Sequence, residues 1–291
     1  MPQRSKWCLI GIPDHVGVIH VGGRIGAAGG PRAFRQIFRR LKGRDGVHER
    51  MLDHGDVPEL GGNIEKNHRQ ASDSIARAQK ESGLTVVVGG GHDHGFSHLR
   101  GIAQAAGPRA RIACINIDAH LDVRKPDPVI TSGSPFYLAL TSGVLSAKRF
   151  IEFGIQSHCN APALWDFVEK EKIEVIPFNN VRGTREAGTK SAARSFASAL
   201  KRLARQSDVI VISLDLDAIA SAYAPGVSAP QSEGFTAMEI IEMMEVSGRE
   251  KKVTSLGIFE LNPEHDRDDM TSRLAATAAY HFIAEKRLKA K

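Results

Sequence analysis

Seven runs of mostly apolar residues recur along the chain at the spacing of strands in an α/β protein. Several of them are nearly continuous, which is typical of strands covered on both faces, as in a parallel sheet. The predicted strands cover Trp7–Ile12, Thr85–Val88, Arg111–Ile117, Arg149–Ile155, Ile173–Phe178, Asp208–Leu214 and Val253–Phe259.

Stretches with helical periodicity lie between these strands. They cover residues 30–41, 66–81, 161–172, 191–206, 236–246 and 269–288. Pro31 stands early in the first stretch, and Thr236 and Asp269 stand where the last two would be capped. The alternation predicts one three-layer α/β/α domain over residues 1–291, with a mostly parallel, doubly wound sheet.

The composition is that of a soluble globular protein, with 291 residues, of which 42% are hydrophobic and 25% charged. The sequence has no run of eighteen apolar residues, so we expect no membrane span. The first residues make a poor signal peptide because a short apolar run soon reaches Pro13 and Asp14. Three widely spaced cysteines, Cys8, Cys114 and Cys159, favour free thiols in a cytoplasmic protein.

The chain carries a formal net charge of +6, which raises the question of a nucleic-acid partner. The basic residues are spread along the sequence, however, and an aromatic content of 6% offers few rings for base stacking. We therefore expect no nucleic-acid partner, and the positive charge favours an anionic small-molecule substrate.

Acids and imidazoles follow four of the predicted strands, where open α/β sheets bind their ligands. They are His92 after three glycines, then Asp118, His120 and Asp122 in "DAHLD", Asp215 and Asp217 in "DLD", and Glu260. In extended chain, residues two apart point to the same side, so each of the two aspartate motifs can project its polar side chains together. A single such motif is ordinary, since an aspartate after a strand often caps a helix. Three of them at separate strand ends predict one metal site.

The charge of this set predicts the number of metal ions. Four carboxylates in one crevice would repel each other, and their pKa values would rise strongly. Two divalent cations neutralise the four charges, and the histidines add neutral nitrogen ligands. An oxygen-rich set with two imidazoles suits Mn²⁺ better than Zn²⁺, while iron, cobalt and nickel stay open.

Three motifs, "GGGH", "NIDAHLD" and "SLDLDAI…APGVSAP", resemble in order the metal motifs of the ureohydrolases, the arginase–agmatinase–formimidoylglutamase family. "GGRIGAAGGP" and "FELNPEHD" also resemble family segments, so the resemblance covers nearly the whole chain. It implies an arginase-like fold, a homo-oligomer (trimer or hexamer), and a hydroxide nucleophile between two Mn²⁺ ions. The implied ligands are His92, Asp118, Asp122 and Asp215 for one ion, and Asp118, His120, Asp215 and Asp217 for the other.

Departures from the family pattern favour one branch. Arginases and agmatinases typically carry a histidine in an "HG-x-P" segment, whereas this chain has "SGSPF", with Ser132 at that place. Together with "DVR" and "FELNP", this looks most like formimidoylglutamase, which converts N-formimidoyl-L-glutamate and water to L-glutamate and formamide. For such a substrate we expect Glu260 to pair with the cationic amidine, Asp122 to relay a proton, and Arg124 and Ser132 to bind the glutamate part. Arg124 could equally be a surface arginine in a loop.

The two residues that follow His92 are not predicted to be metal ligands. We expect Asp93 to orient a metal ligand from behind, and we interpret His94 as an ordinary surface histidine.

Three alternatives stay open. The chain could be a guanidine hydrolase of the same family that releases urea, such as an arginase, an agmatinase or a guanidino-acid hydrolase. A single-zinc deacetylase on the related fold would not need both His92 and Asp122. A metal-binding relative without catalysis is disfavoured because all six expected ligands are present.

Overall fold

The computed structural model describes residues 6–43, 46–58, 60–181 and 192–288. Within these residues eight parallel strands form one sheet in the order β2-β1-β3-β8-β7-β4-β5-β6. The strands are β1 (Trp7–Gly11), β2 (Met51–Asp56), β3 (Thr85–Val88), β4 (Ile112–Ile117), β5 (Phe150–Ile155), β6 (Glu174–Pro177), β7 (Val209–Asp215) and β8 (Val253–Phe259).

Helices cover both faces of the sheet. They are α1 (Val16–Val21), α2 (Gly30–Phe38), α3 (Ile64–Ser82), α4 (His94–Ala106), α5 (Pro135–Thr141), α6 (Pro162–Glu171), α7 (Phe178–Val181), α8 (Ala192–Ala204), α9 (Ala237–Arg249) and α10 (Met270–Leu288). Side chains alternate along β1: Trp7 and Leu9 pack in the core on the α2 and α10 side, and Ile10 packs in the core on the α3 side. The predicted α/β/α layers and parallel sheet are confirmed.

All seven predicted strands form, with bounds within about two residues. The prediction missed β2 because this edge strand is largely polar and half-exposed, with the sequence "MLDHGD". It also missed α4. Thr236 caps α9 in a capping box with Glu239, as predicted. The capping role of Asp269 was wrong, because Asp266 accepts the backbone N–H groups of the first turn of α10.

The structure agrees with the predicted free thiols. Cys8 and Cys114 are buried free thiols, and Cys159 is a half-buried free thiol. No helix in the described ranges combines the length and the apolar character that a bilayer crossing needs.

Four adjacent strands in the middle of the sheet, β3, β8, β7 and β4, precede the polar motifs. Parallel strands end at the same edge, so the loops that follow these four strands converge there. Their positions in the chain are far apart, and the sheet order alone brings them together.

Candidate metal centre and active site

Three buried carboxylates surround the imidazole of His92 and form a group of four side chains with it. Its Nδ1 atom lies 3.1 Å from Asp118 Oδ2, 2.9 Å from Asp122 Oδ2 and 3.0 Å from Asp215 Oδ2. The four donor atoms lie within 4.8 Å of one another. This is the arrangement of ligands around a single cation.

A second group adjoins the first and shares Asp118. His120 Nδ1 lies 2.9 Å from Asp217 Oδ2 and 3.6 Å from Asp118 Oδ1. The side chain of His120 is 25% exposed, so this group faces the mouth of the site. The six side chains predicted as ligands therefore lie together in two adjoining groups.

The glycines before His92 are required by close packing. A Cβ atom on Gly90 would lie 1.6 Å from the carbonyl oxygen of Asp14, and one on Gly89 would lie 2.4 Å from the ring of Phe259. Only glycine fits such contacts, so the chain can turn at the end of β3 and place His92 among the aspartates.

The electrostatics of the two groups fit bound cations. Burial, reinforced by the neighbouring carboxylates, raises the pKa of Asp122, raises that of Asp217 to about 6 and raises that of Asp215 well above its ordinary value. Burial would also raise the pKa of Asp118, but the neighbouring imidazoles of His120 and His92 hold that pKa low. Three carboxylates that repel one another and have raised pKa values are expected where a bound cation is needed to neutralise their charge.

The geometry at His92 also fits a bound cation. Its Nδ1 atom has three carboxylate oxygens around it yet makes no hydrogen bond of acceptable geometry with any described residue. Asp217 Oδ1 is likewise buried without a hydrogen-bond partner in the described part of the chain. A lone pair that faces several oxygens suits a metal ion between them, so the donor set fits.

Two supporting residues were missed from the sequence. Ser213 Oγ lies 2.9 Å from His92 Nε2, which leaves Nδ1 free to act as a ligand. Asn116 Nδ2 donates to Asp118 Oδ2 at 3.0 Å and to Glu152 Oε2 at 2.9 Å. Ser213 and Asn116 each stand two residues before a ligand on a strand, so the two-residue period could have identified them.

Two site residues have left-handed backbone conformations, which are uncommon outside glycine. The φ angle is 47° at Asp122 and 65° at Glu260. Such conformations cost free energy and cluster at functional sites, where the surrounding structure holds them.

A cavity of about 120 Å³ opens onto both groups. It is lined by Val21, Gly23, His92, His120, Asp122, Arg124, Ser132, Gly133, Asp215, Asp217, Ser228, Ala229 and Glu260. The cavity is small compared with the several hundred Å³ of a typical ligand site, so it suits a compact substrate.

The substrate residues predicted from the sequence all line this cavity. Glu260 accepts a hydrogen bond from the backbone N–H of His92 at 2.7 Å, and burial raises its pKa to about 8. Its Oε2 atom is buried without a partner among the described residues. Arg124 is exposed on the rim, and its guanidinium makes no ion pair within the described ranges. A hydrogen bond from the backbone N–H of Ser132 to the carbonyl oxygen of Gly17 fixes the position of Ser132.

Arg24, which follows the cavity-lining residue Gly23 in the chain, was also missed. Its guanidinium donates to the carbonyl oxygens of Pro225 at 3.0 Å and Val227 at 3.2 Å. The side-chain amide of Asn262 in turn donates to the carbonyl of Arg24 at 3.0 Å. These contacts join three segments that are distant in the chain, two of which continue into the cavity-lining residues Gly23 and Ser228, and none of the contacts is visible as a local pattern in the sequence.

The interpretations of Asp93 and His94 need correction. His94 is fully buried, with Nε2 2.9 Å from Asp14 Oδ2 and Nδ1 3.0 Å from Ser97 Oγ, so it is not a surface residue. Asp93 Oδ2 pairs with His68 Nε2 at 2.8 Å and not with the His92 imidazole. The two residues belong to a buried polar network behind the site, in which Asp14 faces His94 and Asp93 faces His68.

Comparisons with known proteins agree with this geometry. The model of the arginase family matches residues 5–284. A formimidoylglutamase from Enterobacter sp. (strain 638) is 31% identical over 284 residues, which are 97% of this chain and 86% of that protein. Formimidoylglutamase from Bacillus subtilis superposes with a TM-score of 0.89 at 25% identity, covering 100% of this chain and 90% of that one.

A structure of Trypanosoma cruzi formiminoglutamase, solved with binuclear Mn²⁺, has a TM-score of 0.86 at 27% identity and covers 99% of this chain and 96% of that one. The family match and the full-length relatives, together with the paired buried histidine–aspartate groups, give one conclusion. The chain belongs to the arginase family of metal-dependent hydrolases.

Proposed function

We propose that the protein hydrolyses the C–N bond of N-formimidoyl-L-glutamate with two Mn²⁺ ions, giving L-glutamate and formamide. In atom balance, R–NH–CH=NH₂⁺ and H₂O become R–NH₃⁺ and HCONH₂. The observation that carries this proposal is the lining of the cavity. The wall of one small cavity beside the two histidine–aspartate groups carries a buried carboxylate and a guanidinium that forms no ion pair with the described residues.

We propose the six predicted side chains as the metal ligands. One ion would be held by His92, Asp118, Asp122 and Asp215, and the other by Asp118, His120, Asp215 and Asp217. When bound, two such ions lower the pKa of water enough to supply hydroxide near neutral pH. Ser213 holds the His92 ring in the orientation that this set requires.

The cavity lining supports a role for each substrate residue. One oxygen of Glu260 is fixed by the His92 backbone, and the other has no hydrogen-bond partner in the described part of the chain, so Glu260 can accept the N–H groups of a cationic amidine. Arg124 presents a guanidinium that can bind a carboxylate through two parallel hydrogen bonds. Ser132 contributes a hydroxyl beside it, in place of the imidazole typical of arginases. Their combined chemistry suits an amidine that carries carboxylates.

Asp122 is the residue we propose for proton transfer. It is a buried carboxylate on the wall of the cavity, and carboxylates are among the side chains that transfer protons in general acid–base catalysis. Asp122 would pass a proton to the nitrogen that carries the glutamate part. Protonation makes this nitrogen a better leaving group.

A substrate panel tests the proposal. With Mn²⁺ present, we expect kcat/KM for formamide release from N-formimidoyl-L-glutamate to exceed that for urea release from arginine or agmatine by at least about a hundredfold. This ratio corresponds to about 2.7 kcal/mol of transition-state preference. Dominant urea production would instead identify a guanidine hydrolase of the same family, and no turnover of any member of the panel would contradict both assignments.

The assembly and the compartment are part of the same proposal. We propose a trimer or hexamer, which light scattering of the purified protein will test. We also propose the cytoplasm as its location, because buried free thiols such as Cys114 suit a reducing compartment.

A further inference from the structure

We propose that Cys8, His54 and Glu81 form a separate Zn²⁺ site at the amino-terminal end of the sheet. Cys8 is the second residue of β1, His54 belongs to the edge strand β2, and Glu81 stands near the end of α3. The arginase-type site lies at the opposite, carboxyl-terminal end of the strands. The two sites therefore share no residue, and this inference does not depend on the proposed function.

The fold directs these three side chains to one point. Cys8 alternates with Trp7 and Leu9, so it faces the same side of the sheet as α3. The register shifts between β1 and β2 where Leu9 pairs with Asp53 and Gly11 with Asp56, which leaves His54 at a bulge. The bulge interrupts the ladder next to Cys8, and Glu81 approaches from the last turn of α3.

Both of the other donor atoms lie close to one atom, His54 Nε2. It lies 3.3 Å from Cys8 Sγ and 3.1 Å from Glu81 Oε2, and the three donor atoms lie within 4.8 Å of one another. A ring nitrogen carries either one proton or one lone pair, so a single linear hydrogen bond cannot serve both neighbours. A cation between the three atoms would satisfy all of them at once.

The ligand set selects the metal. Thiolate, imidazole and carboxylate ligands bind Zn²⁺ at about 2.0–2.3 Å, which places neighbouring ligands about 3.3–3.6 Å apart in a tetrahedron. The observed separations at His54 are close to this range. Burial raises the pKa of the Cys8 thiol, so without metal it stays protonated. Binding of Zn²⁺ would release that one proton, and the partial exposure of His54 leaves room for a water ligand.

Cobalt substitution tests the site without relying on enzyme activity. Co²⁺ is added to the Mn²⁺-loaded full-length protein, and the thiolate-to-cobalt charge-transfer band is followed in the near ultraviolet. Only a cysteine ligand gives this band, so Co²⁺ at the histidine–aspartate centre does not interfere. We expect a saturable band, equivalent to one Co²⁺ per chain, that Zn²⁺ abolishes.

Variants assign the band to its ligands. Cys8→Ser should abolish it, while Cys159→Ser, which changes the half-buried thiol elsewhere, should leave it intact. Glu81→Gln changes an exposed side chain that the fold does not need and should weaken Co²⁺ binding at least about tenfold, since even outer partners of metal ligands are worth 10–100-fold. Absence of the band, its survival in Cys8→Ser, or unchanged affinity in Glu81→Gln would overturn the proposal.

Discussion

Removing the Ser213 hydroxyl should weaken metal binding at His92 without disturbing any ligand. Ser213 and the imidazole of His92 are each 1% exposed, and their atoms Oγ and Nε2 are 2.9 Å apart. In Ser213→Ala the Nε2 atom keeps its position but loses its partner, and water has no access to replace the hydroxyl. The ring is then free to take the other tautomer, which places the proton on Nδ1 and blocks it as a ligand.

The burial of this pair sets the size of the effect. A buried polar group left without its partner costs about 1–3 kcal/mol. If that cost falls on the metal-bound form, it corresponds to a loss of about 5–150-fold in affinity, because 1.4 kcal/mol is a factor of ten. Residues that orient metal ligands typically contribute about 10–100-fold, which lies within this range. We therefore expect Mn²⁺ affinity to fall by about 10–100-fold.

The chain offers a matched control. Ser255 Oγ lies 2.6 Å from His98 Nε2, and this second buried serine–histidine pair includes no proposed ligand. Mn²⁺ titration and urea unfolding of the metal-free proteins should separate the two variants. Ser255→Ala should lose about 1–3 kcal/mol of unfolding free energy and keep its Mn²⁺ affinity. Ser213→Ala, whose cost falls mainly on the metal-bound form, should lose Mn²⁺ affinity with a smaller loss of unfolding free energy. Wild-type Mn²⁺ affinity in Ser213→Ala, or an equal loss of Mn²⁺ affinity in both variants, would refute the reasoning.

Further predictions concern the substrate, the shared ligand and acid stability. Arg124→Ala should raise KM for an anionic substrate by the equivalent of about 1.5–3 kcal/mol, the scale of a charged hydrogen bond, while Lys125→Ala in the same loop should not; steady-state kinetics decides. Asp118→Ala should lose both Mn²⁺ ions, because this residue belongs to both groups, and a variant that retains one ion by metal analysis would contradict the sharing. Burial lowers the pKa of His98 from 6.5 to about 3, so the unfolded chain takes up its proton first as the pH falls. Unfolding free energy of the metal-free protein should therefore decrease from pH 6.5 towards pH 3, and His98→Gln should reduce that slope in urea titrations.

The sequence predicted those parts of the molecule that depend on local pattern. Buried parallel strands are continuous apolar runs, so most of the sheet could be read directly, and the strand-end acids marked the metal centre. The edge strand β2 has no apolar run and was missed. His94 was placed on the surface because its partner Asp14 is eighty residues away, and no local pattern shows a pairing at that distance. The left-handed backbone at Asp122 and Glu260 was equally invisible, since neither residue type requires it.

The order of the strands has a consequence for biosynthesis. Of the eight described strands, β8 is the last to leave the ribosome, yet it lies between β3 and β7 and pairs with both. Until it is made, β3 and its neighbours have no hydrogen-bonded link to the strands that carry the aspartates. His92 therefore meets its partners only after residues 253–259 have inserted, so a nascent chain cannot assemble the complete set of ligands. Such late, long-range strand pairing is slow and leaves unpaired edges exposed in the interval, which makes the unfinished chain a natural client for chaperones.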